Sequence, residues 1–167
     1  MEMFEVAGKG AAETVTSYAS DFEDFYHWEY RTMLRLAVGL VDDRSRAEEL
    51  VQDAFERTLM RWGRLDNPAG FVRRVLVNAS RSELRRRAVS RRRRVEPVPA
   101  GVPSDRDDEL LAALGRLSGR RRMALTLRFL DDQSEVSTAA AMGCRVGTVK
   151  SLVSRGLDDL RREMEHR

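Results

Sequence analysis

Apolar residues recur at intervals of three and four residues along almost the whole sequence, and no segment alternates with a period of two for long enough to predict a sheet. This periodicity predicts an all-α protein. Three of the four prolines lie in VEPVPAGVPS, from Val95 to Ser104, where the helical period stops. The sequence therefore predicts two small helical domains joined by a flexible linker. We expect a flexible tail over residues 1–19, a first domain over 20–94, a linker over 95–106 and a second domain over 107–167.

Capping signals divide these domains into individual helices. The pairs Ser20 with Glu23 and Ser45 with Glu48 have the spacing of capping boxes, which predicts a first helix over about 21–40 and the start of a second. We expect the second helix to end at Gly63 and a third helix to start at Asn67 and Pro68. In the second domain, one helix should start at the pair Ser104 and Asp107 and the next at Ser118. The last two helices should be separated by a break at Gly143.

The composition excludes several classes of protein. The longest uncharged run, Val136 to Cys144, has nine residues, whereas a membrane-spanning helix needs about 20. The N-terminus lacks the basic and apolar regions of a secretory signal, so we expect a cytoplasmic protein without membrane contact. A single cysteine and two histidines exclude an internal disulfide and a Cys/His zinc cluster. No phosphate-binding loop or nucleophile motif is present, which predicts no catalysis, cofactor or metal.

Charge is unevenly distributed along the chain, although the net charge is only +3. Residues 1–66 contain 8 basic and 14 acidic residues, residues 67–100 contain 10 and 2, and residues 101–167 contain 12 and 11. The central segment, with an excess of eight positive charges, can neutralise several phosphates. Nucleic acid is therefore the first partner to consider.

The stretch from Ser137 to Leu160 has the pattern of a helix-turn-helix. Small residues such as Ala139 and Ala140 allow two helices to cross closely, Gly143 supplies the turn, and Val149 begins the apolar face of the second helix, with Leu157 further along it. The residues expected to face away from the core, and to reach phosphates and base edges, are Arg145, Thr148, Lys150, Ser151, Ser154 and Arg155. A plain helical hairpin with a solvated basic face is the alternative.

Three segments in order carry a family resemblance: AEELVQDAF from Ala47 to Phe55, VLVNASRSELRRR from Val75 to Arg87, and VGTVKSLVSRGLDDLR from Val146 to Arg161. With their flanks they resemble bacterial extracytoplasmic-function (ECF) sigma factors of the sigma-70 type, in an actinobacterial style. The resemblance implies that the first domain is sigma domain two and the second is sigma domain four. Core RNA polymerase, through its clamp coiled coil and flap, and promoter DNA, both double- and single-stranded, are the implied partners, and an anti-sigma factor is a further candidate.

The resemblance also implies a role for each group of side chains. The polymerase clamp would bind an acidic face of the second helix that consists of Glu49, Gln52, Asp53 and Glu56. The alternative is that this face is only solvated and binds no partner. The minus-ten element would be melted and bound by the loop and third helix: Arg64, Asn67, Arg73, Arg74, Asn78, Arg81 and Arg85. Asn78 is equally compatible with a buried structural amide. The minus-35 element would be read by the six outward residues of the last helix.

The sequence departs from the family pattern at Gln133 and Ser137, where members usually have an apolar residue and a glutamate. This departure predicts altered minus-35 recognition. The main functional prediction is a sigma factor that directs core polymerase to promoters. The alternatives are a helix-turn-helix regulator that binds duplex DNA without polymerase and a protein-interaction module. The first leaves the acidic helix and the central arginines unexplained, and the second leaves the basic face unexplained.

Overall fold

The computed structural model describes the backbone of residues 7–41, 43–90 and 106–165, with side chains over 20–41, 43–86 and 109–165. These ranges contain seven α-helices, a 3₁₀ turn and a π-helical turn, and no strand. The all-α prediction is therefore confirmed for the described part of the chain. No helix within it is long and apolar enough to cross a membrane.

The helices follow one another with short connections. In chain order they are α1 (Ala7–Val41), α2 (Arg44–Leu59), the 3₁₀ turn (Trp62–Arg64), α3 (Pro68–Ser90), α4 (Arg106–Arg116), α5 (Gly119–Leu125), the π turn (Thr126–Leu130), α6 (Glu135–Met142) and α7 (Val146–Glu165).

The first helix begins earlier than its capping signal predicts. α1 is continuous from Ala7, so the expected start at Ser20 and Glu23 is wrong. A Ser-x-x-Glu pair favours a helix start without preventing the preceding residues from being helical, and the alanines before Ser20 favour a helix. Residues 7–19 of the expected tail are thus part of α1, and residues 1–6 lie outside the described residues.

The caps of the next two helices differ in how well the sequence predicts them. The expected cap of α2 at Ser45 is wrong, because the Asp43 carboxylate accepts a hydrogen bond from the Arg46 amide at 2.9 Å. For α3 the prediction is confirmed, since Oδ1 of Asn67 accepts from the Gly70 amide at 2.8 Å. The predicted end of α2 at Gly63 is four residues too late. The helix ends at Leu59, and Gly63 lies in the 3₁₀ turn that follows it.

Two further boundaries belong to the second half of the chain. Ser118 is the N-cap residue of α5, although its side chain makes no capping hydrogen bond. The expected cap formed by Ser104 and Asp107 cannot be compared, because Ser104 and the side chain of Asp107 lie outside the described residues.

One buried apolar cluster packs α1, α2 and α3 together. Its fully buried members include Met33, Leu40, Val51, Val72 and Leu76. Burying each such side chain contributes about 1.5–3 kcal/mol. The helical period of α3 predicts that Phe71, Val75, Leu76, Ala79 and Leu84 face the core. Leu76 is buried as predicted, but the other four are only half-buried, because the helix turns Val72 and Ser80 toward the core.

A smaller apolar cluster consists of Leu114, Leu117 and Leu125, and Val153 and Leu160 of α7 pack against it, so that it joins α4, α5 and α7. The predicted core position Leu157 is instead 38% exposed. Its neighbour Gly156 is buried, and a Cβ there would lie 3.1 Å from the Leu125 side chain. α7 thus crosses α5 at a residue without a side chain, which brings the two helices closer than a leucine would allow.

The two halves of the chain also share a core. α1 contacts α4, α5 and the π turn, and α3 contacts α6. Met123, Ala124, Leu127 and Met142 from the second half belong to the same buried cluster as the residues of α1–α3. The surfaces that α1 and α3 present to the second half are therefore covered in this structure.

Candidate nucleic-acid and protein interfaces

The turn between α6 and α7 has the geometry that a helix-turn-helix requires. Ser134 caps α6 by accepting a hydrogen bond from the Ser137 amide at 3.0 Å, and the two hydroxyl oxygens lie 2.9 Å apart. At the other end Gly143 has φ = +61°, and the Cys144 amide donates to the Ala139 carbonyl at 3.0 Å. Ser137 therefore takes part in the cap at the position where the family pattern has a glutamate.

The outward side of α7 and the residue directly before it, which we call the recognition face, carry the six residues predicted for this surface. Five are exposed and Thr148 is half-buried. Val149 is fully buried on the opposite side and anchors the helix. Two of the six have neighbours within the domain: Lys150 lies 3.7 Å from the Glu135 carboxylate, and the Ser151 hydroxyl donates to the Gly147 carbonyl at 3.1 Å. The face is thus basic and solvent-accessible.

Replacing Gly143 by alanine is expected to destabilise the second domain by about 1–2 kcal/mol, because a residue with a Cβ is strained at positive φ. The added Cβ would also meet the Arg81 guanidinium. Gly147→Ala is the matched control, since its Cβ would meet nothing within 4 Å. Urea unfolding followed by circular dichroism measures both variants, and equal unfolding free energies would contradict the left-handed turn.

The exposed side of α3 and the loop before it, which we call the arginine face, carry the seven residues predicted to contact the minus-ten element. Arg64, Asn67, Arg74, Asn78 and Arg85 are exposed, whereas Arg73 and Arg81 are half-buried. The exposure of Asn78 excludes the alternative of a buried structural amide. Asn67 has a second role, since its side chain caps α3.

Sequence reasoning missed a cation–aromatic arrangement beside this face. The guanidinium carbons of Arg61 and Arg74 lie 5.6 and 5.5 Å from the centre of the Phe71 ring. Aromatic rings flanked by arginines are typical platforms for stacking unpaired bases. The position of Phe71 close to several arginines in the sequence could have indicated such a platform. The helical period instead predicted that Phe71 faces the core.

The loop that leads into α3 is anchored by an aromatic cluster. Trp62, in the 3₁₀ turn, packs edge-on against Phe22 with ring centres 5.2 Å apart and lies 5.0 Å from the ring of Phe25. Such pairs contribute about 0.5–1.5 kcal/mol beyond their buried area. The cluster therefore fixes the position of Arg64 and Asn67 relative to α1.

Arg73 points into a cleft between the two halves of the chain. The cleft has a volume of about 450 Å³, with α3 on one side and the π turn, the following loop and α6 on the other. Arg73 forms an ion pair with Asp131, whose side chain is only 4% exposed. Burial raises the pKa of the Asp131 carboxyl above its usual range, and the Arg73 guanidinium opposes that rise. Sequence spacing gave no indication of this pair.

The candidate polymerase surface on α2, which we call the acidic face, is exposed except for the half-buried Asp53. Its charges are partly balanced by arginines of the same helix: Glu49 pairs with Arg46 at 2.6 Å and Asp53 with Arg57 at 2.9 Å. Gln52 donates to Glu56 at 3.2 Å. These contacts order the side chains along one side of α2 and leave carboxylate oxygens accessible to a basic partner.

Comparison with known families matches the two halves of the chain separately. The model for sigma-70 region 2 matches residues 25–89, and that for sigma-70 region 4 matches residues 107–160.

Individual relatives agree with this assignment. An RNA polymerase sigma-E factor of Streptomyces antibioticus is 33% identical over 161 residues, which cover 88% of this chain and 86% of the relative. The ECF RNA polymerase sigma factor EcfG of Rhodopseudomonas palustris is 31% identical over 74% of each chain. Among solved structures, the sigma factor RpoE of Bartonella quintana, in complex with the anti-sigma factor NepR, matches with a TM-score of 0.62 and 28% identity. That match covers 86% of this chain and 98% of RpoE.

Proposed function

Because this chain belongs to the sigma-70 family and is an ECF sigma factor for transcription initiation, we propose that it uses three separate surfaces for its three main contacts. As a sigma factor it is a regulatory subunit of RNA polymerase and not an enzyme. The proposal assigns residues 20–94 to polymerase binding and the minus-ten element, 95–106 to the linker, and 107–167 to the minus-35 element. It also places the protein in the cytoplasm, with the polymerase.

The observation that carries this division is the different chemistry of three exposed helix faces. The acidic face of α2 suits a basic protein partner, the arginine face of α3 suits a nucleic-acid strand, and the recognition face of α7 suits base edges in a major groove. A single surface could not serve all three, because its charge would repel at least one partner.

We assign minus-35 recognition to the N-terminal part of α7. Arg145 directly precedes the helix, and its carbonyl accepts from the Val149 amide at 3.2 Å. The residue is exposed at the helix end that enters the groove in helix-turn-helix proteins. Each bidentate contact between an arginine and a guanine contributes about 1–3 kcal/mol of discrimination. Thr148 and Ser151 are close enough along the helix to contact neighbouring bases.

We assign minus-ten binding and promoter melting to the arginine face together with Phe71. Arg74 and Arg85 are exposed to bind phosphates, while the Phe71 ring can stack an unpaired base. Stacking contributes about 1–3 kcal/mol per base, which offsets the few kcal/mol that unpairing a base requires. The anchored loop from Arg64 to Asn67 frames the flipped base.

Two protein partners complete the proposal. The acidic face of α2 binds the clamp coiled coil of core polymerase, and the second domain touches the flap. An anti-sigma factor is a further partner, supported by the complex in which the similar sigma factor RpoE is held by NepR.

Transcription by purified bacterial core polymerase from a randomised promoter library, with and without this protein, tests the proposal. We expect transcript starts that depend on the protein and share paired upstream elements. If core polymerase is neither bound nor redirected, the stand-alone helix-turn-helix regulator becomes the better description.

Reversing charge on the acidic face is expected to weaken binding to core polymerase by at least about tenfold, since like charges across an interface cost several kcal/mol. The variant is Glu49→Lys with Glu56→Lys, measured by fluorescence anisotropy with labelled protein. Glu23→Lys with Asp24→Lys is the matched control, because both residues are exposed on α1 and the change in net charge is the same. Equal losses in the two variants would indicate a non-specific charge effect and contradict the assignment.

A further inference from the structure

The helix-turn-helix carries a single acidic residue. Over residues 135–157 the sequence contains three basic residues, Arg145, Lys150 and Arg155, and only Glu135 is acidic. A carboxylate beside a surface that binds phosphates lowers the affinity for nucleic acid, because like charges across an interface repel. The position of Glu135 relative to the recognition face therefore bears on how α7 selects its DNA.

Glu135 forms an ion pair with Lys150, and the backbone is anchored on both sides of this pair. Glu135 is the first residue of α6, whose first turn is capped by Ser134, because its hydroxyl accepts a hydrogen bond from the Ser137 amide at 3.0 Å. Lys150 directly follows Val149, which is fully buried on α7. The ion pair thus links the two helices of the helix-turn-helix.

The geometry of the pair leaves both charges available to other partners. Nζ of Lys150 lies 3.7 Å from the Glu135 carboxylate, which is within ion-pair distance but longer than a hydrogen bond. The two side chains are 65% and 41% exposed, so the pair adds little to the stability of the fold. Its main consequence is electrostatic, because the carboxylate offsets the charge of Lys150 in the free protein.

A lysine at this position differs from the general composition of the chain. Only 2 of the 30 lysine and arginine residues are lysines. A lysine ammonium is a compact charge on a flexible stem with three N–H donors, whereas an arginine guanidinium is a rigid planar fork. Lys150 can therefore direct one N–H at Glu135 and the others into the groove.

A helix-turn-helix docked on DNA places these two residues in different surroundings. The second helix enters the major groove, and the first helix crosses the phosphate backbone. In this geometry α6 brings the Glu135 carboxylate toward the phosphates, while Lys150 lies on the helix inside the groove. To neutralise a phosphate, Lys150 has to leave Glu135, and the carboxylate is then repelled by the same phosphate. A contact with a base edge does not require this separation.

We propose that Glu135 is a positioning residue that makes minus-35 recognition selective, because it keeps Lys150 for a base contact and lowers the affinity of the recognition face for phosphates. This inference rests on the proposed minus-35 function of α7. Guanine is the expected partner of Lys150, since its O6 and N7 atoms are both acceptors in the major groove. A residue that weakens the wrong complex more than the right one raises selectivity even when it lowers total affinity.

Binding of the holoenzyme to two labelled promoter fragments tests the proposal. One fragment carries a promoter obtained from the randomised library, and the other has the same promoter with a scrambled upstream element. For Glu135→Gln we expect the ratio of the two affinities to fall about two- to fivefold, the size of effect typical of an exposed ion pair. On the scrambled fragment, the slope of log affinity against log salt concentration should become steeper by about 0.9, as for one added phosphate contact. The control Glu165→Gln removes the same charge from the exposed far end of α7 and should change neither value.

A double-mutant cycle with Lys150→Gln shows whether Glu135 acts through Lys150. We expect Glu135→Gln to change the affinity ratio much less in the Lys150→Gln background than in the wild-type protein. The cycle cancels any weakening of the first turn of α6, where a negative charge favours the helix, because that effect is present in both backgrounds.

Two outcomes would overturn the proposal: an unchanged affinity ratio in Glu135→Gln, or an equal change in both backgrounds. The proposed function fails separately, when the wild-type holoenzyme does not distinguish the two fragments or when Arg145→Ala and Lys150→Gln both leave the ratio unchanged. If Arg145→Ala lowers the ratio while Glu135→Gln does not, the minus-35 assignment stands and only the role of Glu135 is refuted.

Discussion

Truncating Leu76 to alanine is expected to lower the free energy of unfolding by about 2–5 kcal/mol. Leu76 is fully buried in the cluster that packs α3 against α1 and α2, so the lost methyl groups leave a cavity that the surrounding helices cannot fill completely. A loss of this size is a large part of the roughly 5–15 kcal/mol that stabilises a typical domain. The arginine face would lose its support together with the core.

Urea unfolding followed by circular dichroism measures this effect. Leu59→Ala is the control, because Leu59 is 52% exposed and its truncation should change stability by less than about 0.5 kcal/mol. A Leu76→Ala variant as stable as the control would show that α3 does not pack as described.

Removing Arg145 and Arg155 together is expected to lower promoter use by at least about tenfold for each arginine that contacts a base, since 1.4 kcal/mol corresponds to a factor of ten. Both side chains are exposed on the recognition face. The readout is initiation by holoenzyme carrying Arg145→Ala and Arg155→Ala on a promoter obtained from the randomised library, compared with promoters altered in the upstream element.

Salt dependence separates the two kinds of contact that these arginines can make. Removal of an arginine that binds only phosphate is expected to make the slope of log affinity against log salt concentration shallower by about 0.9. The sequence preference of the protein should then stay unchanged. Arg120→Ala with Arg161→Ala is the charge-matched control, because both residues are exposed and lie outside the recognition face. If the control loses as much promoter use as the test variant, the recognition face is not where the minus-35 element binds.

Local signals in the sequence predicted much of the fold. The Asn67 and Pro68 pair marks the start of α3 because the cap needs only residues within one turn, and the same holds for the glycine that ends α6. The error at the start of α2 came from competing local signals, since Asp43 and Ser45 are both able to cap and only the folded backbone selects one of them. The error at the start of α1 has another cause, because a Ser-x-x-Glu pair does not prevent the residues before it from being helical. Family resemblance then related the helices to partners.

The helical class, the helix-turn-helix, the charge of each face and the family were predictable from the amino-acid sequence, because they depend on the identity and spacing of neighbouring residues. Three contacts were visible only in the folded chain: α7 crosses α5 at Gly156, Thr126 reaches the Gly39 carbonyl, and Asp131 forms an ion pair with Arg73. These contacts join segments that are distant along the chain. They follow from how closely two helix surfaces fit, and no local period or capping pattern encodes that fit.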